Sequence, residues 1–83
     1  MYRRKVLKDR IYYLIEKLLG SQDIDKSCNN LEKLGIYPTK LDVLILIIEC
    51  DFEINLEDIY KDYLEINLVD TLCDCIEREL YSQ

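Results

Sequence analysis

The stretch Leu41-Asp42-Val43-Leu44-Ile45-Leu46-Ile47-Ile48 constrains this chain more than any other, because seven of its eight side chains are apolar. Its unbroken apolar core, Val43 to Ile48, falls far short of the roughly 20 residues that a membrane span needs. Most of it must therefore be buried within the domain or covered by a partner. A continuous run rich in β-branched residues is compatible with a buried strand, but the segments around it carry helical periodicity, and context favours a helix. Pro38 stands where its fixed φ suits a first helical turn, and Thr39 with Asp42 offers a capping box if the helix begins one residue later. Spacing from Leu41 then puts Leu44, Ile45, Ile48 and Phe52 on one side. Lys40, Val43, Leu46, Ile47 and Cys50 lie on the other.

The rest of the chain supplies the partners for that helix. From Tyr2 to Leu19, the residues Leu7, Ile11, Leu14, Ile15 and Leu18 recur at helical spacing between charged residues, and Gly20 follows as a stop. Residues 21–38, with Gly35 and the adjacent Asn29 and Asn30, show little sustained apolar period. They read as a long loop with one turn near Asn29 to Leu34, unusual in a small domain and often functional. The phrase E-I-N-L-x-D occurs at Glu53–Asp58 and again at Glu65–Asp70. Each places an asparagine (Asn55, Asn67) three residues before an aspartate, the pattern of an N-cap followed by a negative charge at the positive end of a helix. A short third helix burying Leu56, Ile59, Tyr60 and Tyr63 is expected. A fourth follows to about Tyr81, with Val69, Leu72, Cys73, Ile76 and Leu80 inward. The expectation is one all-α domain over residues 1–83, a four-helix bundle with a short third helix and a long loop between the first and second.

Charge and cysteine usage narrow the function classes. The net charge is −6, with no histidine in 83 residues, so Ser-His or Cys-His nucleophiles, imidazole metal sites and a His general base are all excluded. Free nucleic acid is a poor partner for so acidic a chain. The charge is uneven: Arg3, Arg4, Lys5, Lys8 and Arg10 against Asp9 make the first ten residues +4 and leave −10 for the rest. A solvated helix face is the simplest account of that basic start. No apolar secretory core or transmembrane segment is present, which implies a cytoplasmic protein with reduced thiols at Cys28, Cys50, Cys73 and Cys75. These cysteines lack the paired spacing of a zinc site, and Cys73 and Cys75, about 200° apart on a helix, should point away from each other.

The helix order and the stretch from Leu34 to Leu56 resemble the acyl carrier protein family, peptidyl carrier domains included. Without a gap, that stretch follows the family pattern L-G-x-D-S-L-x-x-x-E-L-x-x-x-L-E-x-x-F-x-x-x-I. Leu34 and Gly35 match L-G, Leu44 the middle leucine, Ile48 and Glu49 L-E, Phe52 the aromatic and Leu56 the closing aliphatic residue. Asn67, Val69 and Ile76 resemble the family's closing segment. The resemblance implies an acyl-carrier-like bundle, and it implies 4′-phosphopantetheine on a serine that opens the second helix. Here Pro38 occupies that position. A two-residue shift brings Lys40 there instead, and Thr39 is a weak alternative hydroxyl. No serine lies near this turn, since the three present are Ser21, Ser27 and Ser82.

A carrier-like protein that is not loaded with phosphopantetheine is therefore expected, without catalytic residues, cofactor or metal. It resembles the carrier-related proteins of natural-product and peptide-maturation systems, and its implied partner is a biosynthetic or peptide-modifying enzyme. The family's second helix presents acids to such enzymes. Here Glu49 and Asp51 persist, while Val43, Lys40 and Cys50 replace acids. The expected docking residues are Tyr37, Lys40, Val43, Leu46, Ile47, Glu49, Cys50 and Asp51. If Val43, Leu46, Ile47 and Cys50 are exposed, they imply a hydrophobic partner or a homodimer through this helix; otherwise they are core. Two alternatives stand beside this reading: a working carrier modified at Thr39, and an unrelated helical adaptor whose basic first helix binds an acidic protein.

Overall fold

A computed structural model describes residues 3–20, 24–56 and 66–81, and these residues form three helices. Helix α1 spans Arg4–Leu19, α2 spans Pro38–Phe52 and α3 spans Val69–Tyr81. The chain is thus all-helical across its described elements, as its periodicity predicts. A four-helix bundle is not supported, because three helices are found among the described residues. The expected short third helix falls on residues 57–65, which lie outside them. Of its inward residues, Leu56 alone is described, and it is buried.

α1 forms because its apolar residues repeat on one face. Leu7, Ile11, Leu14 and Ile15 are buried as their spacing requires, and Tyr12 joins them at 2% exposure. Gly20 ends the helix in the left-handed conformation at φ 69°, and its N–H reaches the Glu16 carbonyl. That geometry carries almost no steric cost only in glycine. α2 starts at Pro38, with Tyr37 as the extended residue before it. The conditional Thr39–Asp42 capping box therefore does not apply: Thr39 lies already inside the helix, where its own backbone cannot adopt the extended cap conformation. At the other end Glu53 takes a left-handed φ of 55° and donates its N–H to Glu49 O.

α1 packs against both α2 and α3. The shared core draws Leu7, Ile11 and Ile15 from α1, Leu44, Ile45 and Ile48 from α2, and Val69, Leu72 and Ile76 from α3, all at 0% exposure. Full burial of such side chains is worth about 1.5–3 kcal/mol each. Cys73 and Cys75 are both buried, at 0% and 9%. Burial of both, two positions apart on one helix, shows that α3 is covered over a wider arc than a single stripe.

The long connection after α1 is more ordered than its composition implies. Asn30 and Leu68 form an antiparallel bridge. Around it, Leu31 N–H donates to Asn67 O at 2.9 Å and Val69 N–H to Asn29 O at 2.8 Å. Leu31, Leu34 and Ile36 are buried beneath, and the turn closes through Gly35 at φ 99°. Tyr12 ties this layer to α1 by donating its hydroxyl to Cys28 O at 2.8 Å. The sequence places the start of the last helix at Asn67, whereas the helix begins at Val69. The bridge explains the offset, since Asn67 is held in extended pairing with Leu31. An early orphan N–H of α3, that of Asp70, is capped by Asn29 Oδ1 at 2.9 Å, across the fold rather than from the adjacent chain.

Candidate functional site

α2 turns Leu41, Leu44, Ile45 and Ile48 inward, which leaves a second apolar face pointing out. Val43 is 43% exposed and Leu46 54%, Cys50 is exposed, and Ile47 is half-buried against the core. Together with Asp51 they line a shallow groove of about 440 Å³. Its wide mouth and small depth suit a surface ridge from a partner better than an enclosed small molecule. Tyr37, 57% exposed, stands before the first turn, followed by exposed Pro38, Thr39 and Lys40. The sequence left open whether Val43, Leu46 and Ile47 are core. Val43 and Leu46 belong to the surface, and Ile47 sits at its boundary with the core.

The two acids expected on this face are both engaged within the chain. Asp51 receives two hydrogen bonds from Arg10, one from Nε at 2.8 Å, in a fork-to-fork ion pair. That hydrogen bonding holds the Asp51 carboxyl below the usual carboxylate range. Glu49 is half-buried, and its Oε2 accepts the Leu56 N–H at 2.8 Å. Both residues therefore secure the C-terminal end of α2, with Asp51 fastening it to α1 and Glu49 shaping the turn to Leu56.

The basic start of α1 is likewise paired across the surface of the fold, not left wholly to solvent. Arg4 donates to Asp70 O at 3.2 Å and pairs with Asp74 and with Glu77, the latter at 3.0 Å from Nε. Lys8 lies 3.3 Å from Asp70. The sequence reading of a solvated face is corrected for these residues, because α3 presents acids to the side of α1 on which Arg4 and Lys8 project. Arg3 and Lys5 remain exposed. Further along, Arg10 and Lys17 lie over the Tyr13 ring at 4.8 and 5.3 Å from its centroid.

All four cysteines are free thiols. Burial pushes the Cys73 and Cys75 thiols up from their ordinary value. Cys28 is partly buried and directs its sulfur to Asn30 O at 3.6 Å. Cys50 alone opens onto the groove. Among the described residues, no cluster of three or more candidate ligands could hold a metal ion. No helix among them is long and apolar enough to cross a membrane.

Sequence reasoning missed Tyr12, Asn29 and the intramolecular use of Arg10. Tyr12 adjoins Ile11, so widening the apolar stripe by one position finds it. Asn29 and Arg10 act on residues distant in sequence, and no local spacing signals such pairings. Comparison with protein-family models, with curated proteins and with solved structures found no match to this chain.

Proposed function

We propose that this chain is a non-catalytic, acyl-carrier-like docking module that presents α2 to a biosynthetic or peptide-modifying enzyme in the cytoplasm and carries no 4′-phosphopantetheine. The observation that carries this reading is the outward apolar face of α2, with Val43 and Leu46 both more than two-fifths exposed in a small, highly charged chain. Contiguous exposed apolar surface of this kind marks an interaction site. The resemblance over Leu34 to Leu56 supplies the class of partner. The same resemblance places the prosthetic group at the opening of α2, where Pro38 is the first helical residue and has no side-chain nucleophile. The group does not fit there.

Two departures from the family pattern shape the docking. Acids are replaced at Val43, Lys40 and Cys50, and the remaining Glu49 and Asp51 are held by the chain itself. Docking is then driven by apolar burial, with Tyr37 and Lys40 adding contacts at the first turn. It should be far less sensitive to salt than recognition by opposed charges.

The alternative of a working carrier finds its one support in Thr39, whose side chain is exposed on the first turn of α2. Intact mass after co-expression with a broad-specificity phosphopantetheinyl transferase separates the two readings. An unchanged mass is expected, and a gain of one phosphopantetheine would sink the unloaded reading. A helical adaptor that uses its basic first helix is less favoured, since Arg4, Lys8 and Arg10 already pair with Asp70, Asp74, Glu77 and Asp51.

A further inference from the structure

We propose that the outward face of α2 also pairs with a second copy of this chain, in a parallel two-fold dimer with Cys50 opposite Cys50 of the other copy. Thr39, Val43, Leu46 and Cys50 follow one another at alternating steps of four and three residues, the seam spacing of two helices packed side by side. All four are exposed.

The flanks of this seam select the orientation. At about 100° per residue, Lys40 and Asp51 fall on one flank and Asp42 and Glu49 on the other. Arg10 of α1 joins the first flank through its ion pair with Asp51. One flank is thus basic or neutralised, the other acidic. A two-fold axis running along the helices sets each flank against the opposite flank of the other copy. Lys40 then meets Asp42 twice, at the same level of the helix. A two-fold axis across the helices instead sets Asp42 against Glu49 twice and Lys40 against an Asp51 already held by Arg10. Charge complementarity therefore favours the parallel pair, in which Ile47 packs against Leu46 and Cys50 lies next to the axis.

Each copy carries −6, but at physiological ionic strength repulsion is screened beyond about 8 Å, so the contacts at the seam decide. A ridge of about three turns buries an area near the low end for specific interfaces, about 1,000 Å² in total. A dimer that dissociates on dilution follows. This inference rests on the geometry of the face and not on enzyme docking. A monomer would overturn this inference and leave enzyme docking standing, whereas a dimer that binds no such enzyme would leave this inference standing and count against docking.

Sedimentation equilibrium on the full chain, from about ten micromolar to about one millimolar, tests it together with oxidation by diamide. The expected result is a concentration-dependent dimer that diamide traps through a Cys50–Cys50 disulfide, mapped by mass spectrometry. L46E should abolish both the dimer and the trap while retaining the helical circular dichroism of the parent. K40E should weaken the dimer roughly three- to tenfold, the effect of losing two exposed ion pairs, and K40E/D42K should restore it by exchanging the flanks. Residues two apart on a helix do not face each other, so a purely structural role for Lys40 predicts no such rescue. A monomer throughout the range, or failure of K40E/D42K to recover, would overturn the proposal. So would efficient cross-linking of V43C to Cys50 of the other copy in place of the Cys50–Cys50 product, because that pairing belongs to antiparallel helices.

Discussion

α1 and α2 use charge and hydrophobicity in opposite ways. α1 carries the basic segment of the chain, yet Arg4, Lys8 and Arg10 all bind acids on α3 or α2. α2 is the most apolar helix, yet it leaves Val43 and Leu46 in solvent. In α1 the charges tie one helix to its neighbours, while in α2 apolar side chains stay exposed. The two acids near the end of α2, Glu49 and Asp51, likewise have partners within the chain.

The contrast within α2 itself can be broken most directly. Leu44 and Leu46 are two residues apart on the same helix, at 0% and 54% exposure. Leu44→Ala should cost about 2–5 kcal/mol of folding free energy, through lost burial and the cavity left behind. Leu46→Ala should remain within about 0.5 kcal/mol of the parent, as surface changes do. Urea denaturation of both variants measures the difference. Equal losses would show that the outward face is core in solution and would remove the basis for docking through it.

That comparison also shows how far the sequence could be read. The inward and outward sides of α2 were legible because helical geometry converts spacing directly into direction, and residues as alike as Ile45 and Leu46 separate by that rule alone. Gly20 as a stop and Pro38 as a start were legible for the same local reason. What local patterns could not supply was every pairing across the chain. Asn67 has the right neighbours for a cap, yet it is drawn into a bridge with the 29–31 segment, and Asn29 caps α3 instead. The exposure of Val43 was undecidable from sequence, because periodicity gives the angle between two faces and not how many of them are covered.

Asn29 sharpens the same lesson at smaller magnitude. Its Oδ1 accepts the Asp70 N–H, and its carbonyl accepts the Val69 N–H. Asn29→Ala removes only the side-chain bond, and the loss should be about 1 kcal/mol, typical of an N-cap. Asn67→Ala, the change that the sequence singles out, should cost less. Thermal unfolding of the two variants compares a cap supplied across the fold with an expected local one. A larger loss at Asn67 would contradict the assignment.

The ionic contacts of α1 with α3 come next. Arg4 has three acceptors on α3, but its side chain is 40% exposed, so solvent screening discounts each contact. Arg4→Met keeps the stem that packs over the helix and removes the charge. It should cost about 1 kcal/mol at low ionic strength and about half of that in molar salt. A loss independent of salt would mean that packing by the stem, and not charge, is what Arg4 contributes.

The smallest expected effect lies where the two helices meet, at Arg10 and Asp51. Hydrogen bonding from Arg10 lowers the folded-state pKa of Asp51 from its ordinary value of 3.8. A carboxyl with a depressed folded pKa binds fewer protons when folded than when unfolded. Its contribution is therefore fully present above the unfolded pKa and is lost as the pH falls through the folded one. The window opens below about pH 4 and extends downward from there. Because the Arg10 side chain is 44% exposed, the pair should contribute only a few tenths of a kcal/mol. Arg10→Gln should remove that amount at pH 7, and the difference from the parent should shrink as the pH falls below about 4 and the parent loses the same contribution. The outward ridge should survive the change, since Val43, Leu46 and Cys50 are placed by the inward side of α2. If Arg10→Gln alters the dimer or the docking of α2 at pH 7 by more than it alters stability, the ion pair belongs to the recognition face as well as to the fold.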